Sequence, residues 1–326
     1  MLKDVSLEII QRCLNNCVYC SSNACHDSKS ILTLKTIKQC IDGVAELGAK
    51  RLCLSGGEPF LHPEIMEIVE YAVEKGLILN VYSSGIIGEL GNEKALSDEL
   101  LMQCKQKGLN RIMFNLQAMS ENVYDNIMQT RNNFPLVLES ITRAKNNGIE
   151  TEIHFVPMKQ NIGEIKSLVN WAAELGVDCV SFLKLVPHGR AELNRSEIEL
   201  DETELLQVQE SLYEMKHSGA KIRIGIPLSY PSEKEQCHAV QQKLYIKFDG
   251  SVFGCEAFKY IQFLDKNNVQ IQPDNIMIRK IEEIYDDSVF LKNSMNLIQQ
   301  YSDINCNCEN CPVQKYLQGR KKNVYN

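Results

Sequence analysis

The sequence predicts an α/β fold in which a partial (β/α)6 barrel is followed by a small α+β domain. Two observations predict the barrel: short apolar segments alternate with amphipathic segments of helical period, and this unit repeats six times along residues 1–195. A third observation predicts the small domain, because two alternating segments flank a turn signal after residue 225. The length of 326 residues is sufficient for one large domain and one smaller one.

The six strand-like segments of the barrel lie near residues 5–10, 51–55, 77–82, 110–116, 149–156 and 177–185. The helix after the first strand has Thr33 as a candidate N-cap and Gly48 at its C-terminal end. The helix after the second strand has Pro63 in its first turn and ends at Gly76. Parallel strands joined by helical crossovers form an open sheet or a barrel, and six units instead of eight favour a partial, TIM-like barrel.

A connector and a second domain follow the barrel. The regular alternation breaks after Arg190, and residues 196–224 contain an acidic stretch with one helix expected at residues 201–217. We assign residues 225–326 to the second domain, where Asp249-Gly250 separates two alternating segments. This pattern predicts a tight β-hairpin.

The charge and composition of the chain argue against several classes of protein. The net charge of -7 and the pI near 5.5 argue against a nucleic-acid partner, which would require clustered Lys and Arg. No segment approaches the roughly 18 apolar residues of a membrane span, and the N-terminal residues lack the basic and apolar regions of a signal peptide. We therefore expect a cytoplasmic protein without a membrane partner.

Thirteen cysteines in such a chain indicate metal binding or catalysis in preference to disulfides. Cys13, Cys17 and Cys20 stand in the loop after the first strand, called here the three-cysteine loop. Three thiolates from one loop can hold three irons of a 4Fe-4S cluster and leave the fourth iron open for a substrate or cofactor, whereas structural sites normally use four ligands. A zinc site or a pair of buried thiols is the alternative interpretation.

A glycine-rich loop, SGGEP at residues 55–59, follows the second strand. Two adjacent glycines would let a ligand approach the backbone closely and would expose amide hydrogens to it. Glu58 offers an additional acceptor. Binding loops of parallel α/β folds lie beyond the C-terminal ends of the strands, so we expect this loop and the three-cysteine loop at the same edge.

In these two loops the chain resembles the radical S-adenosylmethionine superfamily. The marks of that family are C-x-x-x-C-x-x-C with an aromatic residue before the last cysteine, here CLNNCVYC with Tyr19, and GGEP, here Gly56-Gly57-Glu58-Pro59. The resemblance implies that the amino and carboxylate groups of S-adenosylmethionine bind the open iron, with the amine also held by the Gly56 to Pro59 loop. Reductive cleavage then gives methionine and a 5'-deoxyadenosyl radical, and the electron comes from a partner such as flavodoxin or ferredoxin.

The same resemblance suggests further contacts to S-adenosylmethionine. The candidates are Ser83 at the end of the third strand, Asn115 and Gln117 at the end of the fourth, and Arg143 on the next helix. Their alternative interpretation is that of polar groups at strand ends and on a solvated helix face. Asn161 and the sequence at residues 187–191 also resemble family positions, with helix capping and turn formation as their alternatives.

A second set of cysteines lies in the predicted small domain and comprises Cys237, Cys255, Cys308 and Cys311. Four thiolates suffice for a closed iron-sulfur cluster or for a zinc knuckle. Their spacing resembles the auxiliary-cluster domain called twitch, whereas its longer SPASM relative has further cysteines after the C-x-x-C. No cysteine follows Cys311, so the resemblance implies one auxiliary 4Fe-4S cluster, with Cys306 as an alternative ligand.

No single acid or base can be assigned from sequence, because such roles depend on the geometry with the substrate. The candidate catalytic side chains are Cys25, Cys306, Glu256 and His188, with His238 as a further candidate. Cys25 or Cys306 would return hydrogen to the substrate, as a cysteine does in the peptide epimerases that the chain resembles. The remaining cysteines, Cys40, Cys53, Cys104 and Cys179, are expected in the core.

The leading functional hypothesis is a radical enzyme that abstracts hydrogen from a peptide, followed by crosslinking, epimerisation or oxidation. Only a few residues precede the first strand, so we expect a separate recognition protein or a short leader bound directly. The second hypothesis is a small-molecule dehydrogenase or epimerase acting on a sugar or aminocyclitol, because one closed auxiliary cluster suits a two-electron oxidation. The third hypothesis, a non-catalytic metal-binding protein, requires the GGEP sequence to be accidental.

Overall fold

A computed structural model describes residues 1–229, 237–302 and 311–317 of the chain. Its strands are β1 (Asp4–Ile10), β2 (Arg51–Gly56), β3 (Ile78–Ser83), β4 (Ile86–Glu89), β5 (Asn92–Ala95), β6 (Arg111–Asn115), β7 (Glu150–Phe155), β8 (Cys179–Phe182), β9 (Ile222–Ile224), β10 (Lys243–Ile246), β11 (Val252–Phe253), β12 (Phe263–Leu264) and β13 (Gln270–Ile271). Its α-helices are α1 (Leu34–Glu46), α2 (Ile65–Glu74), α3 (Asp98–Gln106), α4 (Glu121–Met128), α5 (Phe134–Asn146), α6 (Ile165–Leu175), α7 (Arg190–Leu193), α8 (Arg195–Ile198), α9 (Glu202–His217), α10 (Ile281–Asp287) and α11 (Val289–Ser302).

The main sheet has nine strands in the order β11-β10-β1-β2-β3-β6-β7-β8-β9. All neighbouring pairs from β10 to β9 are parallel, and only β11 runs antiparallel to its neighbour. The six predicted strands are β1, β2, β3, β6, β7 and β8, and they lie side by side in chain order. The predicted α/β fold class is confirmed, and the sheet is extended at its two edges by β9 and by the β10–β11 pair.

Local signals set the helix ends. Thr33 caps α1 as predicted, because its hydroxyl accepts a hydrogen bond from the Thr36 amide at 3.2 Å. Gly48 follows the end of α1 with a φ of +84°, a conformation that favours glycine. Pro63, however, lies before α2 and not in its first turn, because the turn that leads into the helix is closed by a bond from the Ile65 amide to the His62 carbonyl.

The two faces of the sheet differ in polarity. Alternate strand residues such as Leu52 and Leu54 are fully buried in the hydrophobic core, together with the apolar sides of the helices. The residues between them carry titratable groups: Arg111 on β6 forms an ion pair with Glu152 on β7, and Arg223 on β9 donates to Ser181 on β8 at 2.9 Å. The hydrophobic core therefore lies on the helix side of the sheet, and the polar side carries the groups available for chemistry.

The C-terminal part of the chain contributes to the same sheet. The predicted hairpin forms from β10 and β11, with Tyr245 opposite Phe253, and β10 pairs with β1 with Asp4 opposite Lys243. The connector helix α9 matches its predicted position and begins with a capping box formed by Asp201 and Glu204. The division into domains at residues 195 and 225 stays a prediction. No helix in the described ranges is long and apolar enough to cross a membrane.

Candidate active site

The three-cysteine loop begins directly after β1. Cys13 and Cys17 are buried and Cys20 is half-buried. Burial, and then the neighbouring Cys17, raise the pKa of Cys13 well above its ordinary value. Burial and the neighbouring Cys20 raise the pKa of Cys17 to about 12. The structure therefore brings the three thiols together, and this grouping fits a metal cluster because iron cations would offset the cost of gathering buried thiolates.

The spacing of the cysteines bears on the zinc alternative. Among the residues that the structure describes, no three Cys, His, Asp or Glu side chains are arranged so that they could hold a metal ion. One zinc ion needs thiolates at about 2.3 Å from a common centre, which brings their sulfur atoms close to one another. A 4Fe-4S cluster has a different iron at each thiolate and requires a wider spacing. The zinc alternative therefore has no single-ion site among the described residues.

The segment after β8 holds the three-cysteine loop by its backbone. Arg190 donates from Nε to the Cys17 carbonyl and from Nη2 to the Ala24 carbonyl, both at 2.8 Å. Its own amide donates to the Cys20 carbonyl at 3.0 Å. His188 Nδ1 donates to the Ser21 carbonyl at 2.9 Å. His188, a candidate catalytic residue, therefore contacts the backbone of this loop, and so does Arg190, which belongs to the segment 187–191 that resembles family positions.

The Gly56 to Pro59 loop packs against the chain itself. A side chain on Gly56 would meet the Ile10 carbonyl oxygen at 2.1 Å, and one on Gly57 would meet the Arg12 carbonyl oxygen at 2.1 Å. The amides of Gly57 and Glu58 donate to these same two carbonyls at 2.6 and 2.8 Å. The expectation that the glycines expose amide hydrogens to a ligand is wrong for the Gly57 amide. The glycines are required because the segment before Cys13 approaches so closely.

Glu58 links the glycine-rich loop to the end of β3. Its buried carboxylate accepts hydrogen bonds from the Ser83 hydroxyl at 2.9 Å, the Ser84 amide at 2.7 Å and the Ser84 hydroxyl at 2.5 Å. It also accepts one from the Phe60 amide at 3.2 Å. Burial raises the pKa of Glu58 to about 7, although these bonds lower it. The carboxylate predicted to serve as an acceptor is thus engaged by the chain, together with the predicted contact Ser83.

Polar side chains form a network across the ends of β6 and β7. The Tyr19 hydroxyl donates to Asn115 Oδ1, which also accepts from Gln117 Nε2 at 2.5 Å. Gln117 Oε1 accepts from the Val156 amide at 2.8 Å, and the backbone carbonyl of Gln117 accepts from Asn161 Nδ2 at 3.0 Å. Four predicted residues, Tyr19, Asn115, Gln117 and Asn161, therefore lie together beside the three-cysteine loop.

Arg143 does not join these residues. It donates to the Leu96 carbonyl at 2.9 Å and forms ion pairs with Glu139 at 2.6 Å and Asp98 at 3.7 Å. These partners lie on or beside α3 and α5. The structure therefore gives Arg143 contacts between helices, in agreement with the alternative interpretation.

Cys25 lies beside the start of the three-cysteine loop. Its amide donates to the Gln11 carbonyl at 3.3 Å, and its carbonyl accepts from the Cys13 amide at 3.1 Å. The side chain is half-buried. Cys25 is thus placed next to the first cysteine of the loop, and its role in returning hydrogen to a substrate stays a prediction.

The second cysteine set is described in part. Cys237, Cys255 and Cys311 are half-buried. Burial and the adjacent Glu256 raise the pKa of Cys255, and the nearby Cys311 and Cys237 raise it further. Cys255 is therefore close enough to Cys237 and Cys311, which are distant in sequence, to interact with them electrostatically, as the ligands of a shared metal cluster would. Cys306 and Cys308 lie outside the described residues.

Glu256, a candidate catalytic residue, forms an ion pair with Lys243 at 3.2 Å. The candidate His238 is exposed.

Cys53 differs from the expectation of a core position, because it lies on the polar face of the sheet. Burial, and then the charge of Glu256, raise the pKa of Cys53, and Tyr82 hydrogen-bonds with it. Cys40 and Cys104 are buried as expected, whereas Cys179 is half-buried.

Comparisons with known proteins agree with this site. The sequence model of the Radical SAM superfamily matches residues 7–172. The PqqA peptide cyclase of Bradyrhizobium diazoefficiens is 26% identical over 274 residues, which are 82% of this chain and 70% of the relative. The PqqA peptide cyclase of Ruegeria pomeroyi is 31% identical over 195 residues, which are 58% of this chain and 49% of the relative.

Solved structures share the fold. Streptococcus suis SuiB bound to S-adenosylmethionine has a TM-score of 0.71 at 16% identity, covering 91% of this chain and 68% of SuiB. The anSMEcpe structure with bound AdoMet and the Cp18Cys peptide has a TM-score of 0.63 at 14% identity, covering 99% of this chain and 98% of that one. Since the superfamily match spans half of the chain and includes both the three-cysteine loop and the Gly56 to Pro59 loop, the chain belongs to the radical S-adenosylmethionine superfamily.

Proposed function

We propose that this chain modifies a C–H position of a ribosomally made peptide, by crosslinking, epimerisation or oxidation. The observation that carries the proposal is the junction of two loops at the C-terminal ends of β1 and β2. The amides of Gly57 and Glu58 are bonded to the residues that directly precede Cys13. A cofactor bound to the cysteines would therefore contact the GGEP loop as well.

Superfamily membership implies S-adenosylmethionine and a 4Fe-4S cluster as cofactors. Cys13, Cys17 and Cys20 would hold the cluster through three of its irons. When bound, the cluster supplies the electron that cleaves S-adenosylmethionine to the 5'-deoxyadenosyl radical, and we propose flavodoxin or ferredoxin as the source of that electron.

The residues of the chain orient this site. Arg190 holds the backbone carbonyls of Cys17 and Ala24. Glu58 holds the glycine-rich loop against Ser83 and Ser84. Tyr19 and Asn115 present polar atoms next to the cysteines, where they would meet the ribose or the methionine group of the cofactor. Because these side chains are held by hydrogen bonds before a ligand binds, little ordering is required on binding.

We propose that Cys237, Cys255 and Cys311 hold one auxiliary 4Fe-4S cluster, with Cys308 or Cys306 as the fourth ligand. The electrostatic interaction of Cys255 with Cys237 and Cys311 supports this assignment. Since Glu256 follows Cys255 and reaches the polar face of the sheet beside Cys53, it is our candidate for accepting a proton from a substrate.

A peptide substrate is favoured by the kind of relative that the chain matches. The relatives named as PqqA peptide cyclases align with up to 82% of this chain, and the SuiB fold has also been solved with the precursor peptide SuiA. The small-molecule dehydrogenase is the second candidate, because a single auxiliary cluster is also sufficient for it.

The test of substrate class uses anaerobically reconstituted enzyme and two groups of substrates. Synthetic peptides encoded by short reading frames next to the gene form one group, and sugars and aminocyclitols form the other. Loss of hydrogen mass from a peptide, or uptake of solvent deuterium at a Cα, is the expected result. Turnover of the sugars or aminocyclitols but of no peptide would refute the peptide substrate and support the small-molecule dehydrogenase.

A further inference from the structure

A buried charged cluster lies beside the three-cysteine loop. The side chains of Lys259 and Glu8 are 2% and 3% exposed, and Lys259 Nζ lies 3.2 Å from Glu8 Oε1. Glu8 also accepts hydrogen bonds from the hydroxyls of Ser22 and Tyr245. Lys259 donates to Ser22 Oγ at 3.1 Å and lies 4.4 Å from the centre of the Tyr245 ring. Buried charges are costly unless they are paired and hydrogen-bonded, and here each charge has several partners.

This cluster joins the two cysteine sets. Ser22 follows Cys20 by two residues and belongs to the three-cysteine loop. Lys259 follows Cys255 by four residues and lies on the 3-10 helix Glu256–Tyr260. Lys259, buried with Glu8, therefore connects the loop of the first set with the segment of the second through its hydrogen bond to Ser22.

The 3-10 helix is also held at its other end. Glu256, its first residue, pairs with Lys243 at the start of β10, whereas Lys259 pairs with Glu8 near the end of β1. Since β1 and β10 are hydrogen-bonded neighbours, the helix is fixed against this strand pair at two points. The Cys255 segment therefore has a defined position relative to the first cysteine set.

We propose that Glu8, Ser22 and Lys259 are positioning residues that couple the geometry of the two cysteine sets. Breaking the ion pair leaves an unpaired buried charge, which displaces the Ser22 end and the Lys259 end together. The proposal rests on the auxiliary cluster put forward above.

The test measures each cluster separately. One background carries Cys13→Ala, Cys17→Ala and Cys20→Ala and reports the auxiliary cluster, and the other carries Cys237→Ala, Cys255→Ala and Cys311→Ala and reports the first cluster. Each background is combined with Lys259→Met, with Glu8→Gln, and with both. Iron per folded chain and the paramagnetic resonance spectrum of the reduced protein are measured after anaerobic reconstitution.

We expect each single substitution to lower the iron content about two-fold or more in both backgrounds, and the double substitution to restore part of it, because the pair is then removed as a unit. Ser22→Ala, which keeps the ion pair, is the milder variant if Lys259→Met does not fold, and it should broaden both spectra. Loss of iron from one background only, or from neither, would overturn the coupling.

Lys247→Met is the matched control. Lys247 and Asp249 form a pair at 2.7 Å in the loop between β10 and β11, but both side chains are partly exposed. This variant should keep the iron content of both backgrounds. If the background that retains Cys237, Cys255 and Cys311 binds no iron with Glu8 and Lys259 intact, the auxiliary cluster itself is absent, which refutes that part of the proposed function and the coupling with it.

Discussion

Gly57 is a residue at which the backbone of the site leaves no room for a side chain. A Cβ at this position would lie 2.1 Å from the Arg12 carbonyl oxygen, and the amide of Gly57 donates to the Ile10 carbonyl. Both neighbours are backbone atoms that cannot rotate away. The site therefore depends on the absence of a side chain here, independently of any ligand.

We expect Gly57→Ala to lower the free energy of unfolding by about 1–3 kcal/mol and to reduce iron uptake, because the added methyl group forces the two loops apart. Thermal unfolding and iron analysis after reconstitution measure both effects. Gly163→Ala is the control, because no atom lies within 4 Å of its Cβ position. Equal stability of the two variants would contradict the close packing described for Gly57.

Glu58 makes the stability of the metal-free protein depend on pH. Burial raises its pKa from the ordinary value of 4.5 to about 7, so the folded chain binds this proton more tightly than the unfolded chain. The contribution of Glu58 to stability is therefore largest below the pKa that Glu58 has in the unfolded chain. This contribution is lost as pH rises through the pKa that Glu58 has in the folded chain. Glu58→Gln has no such titration.

The comparison with Glu58→Gln isolates this effect. The unsubstituted protein should be the more stable at pH 5, and its advantage should shrink by about 2 kcal/mol by pH 8. Denaturant titrations of both metal-free proteins at the two pH values measure it, and the other titrating groups cancel in the difference. An advantage that stays constant with pH would show that Glu58 does not titrate in this range.

Sequence reasoning identified Glu58 and the two glycines but not their partners. The GGEP pattern indicates a binding loop, yet the serines that hold Glu58 lie 25 and 26 residues later, on another strand. Long-range pairs of this kind leave no local pattern. For the same reason Cys53 was expected in the core, since its strand alternates in a way that does not reveal which face is polar.

At the scale of elements, the segment from His188 to Asn194 holds the three-cysteine loop in place through hydrogen bonds to its backbone. Arg190 donates to two carbonyls of that loop through a forked guanidinium, and Asn194 donates to the Val18 carbonyl at 2.9 Å. The loop thus obtains its shape from an element that follows it by about 170 residues.

Arg190→Lys tests whether the hydrogen bonds of Arg190 hold the three-cysteine loop in place. A single ammonium group cannot reproduce the two divergent bonds of the guanidinium, so the folded protein should lose bound iron faster to a chelator. Arg195→Lys is the control, because Arg195 forms ion pairs with Glu192 and Glu199, which lie outside the three-cysteine loop. Equal rates of iron loss for the two variants would refute the role of Arg190.

The periodic elements and the hairpin were predictable, whereas the edge strand β9 was not. Six strands and the connector helix have long, regular hydrophobic patterns that dominate their local structure. β9 has three residues, too few to show a period. The hairpin at Asp249-Gly250 was recognisable from its turn, but its pairing with β1 depends on contacts between residues more than 230 positions apart.

At the scale of the whole molecule, two cysteine sets from opposite ends of the chain are carried by one sheet. β1 leads into the first set, and its parallel neighbour β10 lies between Cys237 and Cys255 of the second set. The two cysteine sets are thereby joined through neighbouring strands. This arrangement supports the proposal that both sets serve one reaction.

Iron analysis tests the two-site arrangement. The unsubstituted chain should bind roughly eight irons after reconstitution, and the variant with Cys237→Ala, Cys255→Ala and Cys311→Ala should bind roughly four. Cys40→Ala, which removes a buried cysteine of α1, should bind as much iron as the unsubstituted chain. Four irons in the unsubstituted chain would refute the auxiliary cluster.

Formation of 5'-deoxyadenosine by the reduced, reconstituted protein supplied with S-adenosylmethionine tests most directly whether the three-cysteine loop carries a radical-generating site. We expect the unsubstituted chain and Cys40→Ala to form 5'-deoxyadenosine and methionine. We expect no 5'-deoxyadenosine from Cys13→Ala, Cys17→Ala or Cys20→Ala. A brown, iron-loaded protein that yields no 5'-deoxyadenosine, or a Cys17→Ala variant that yields as much as the unsubstituted chain, would contradict it.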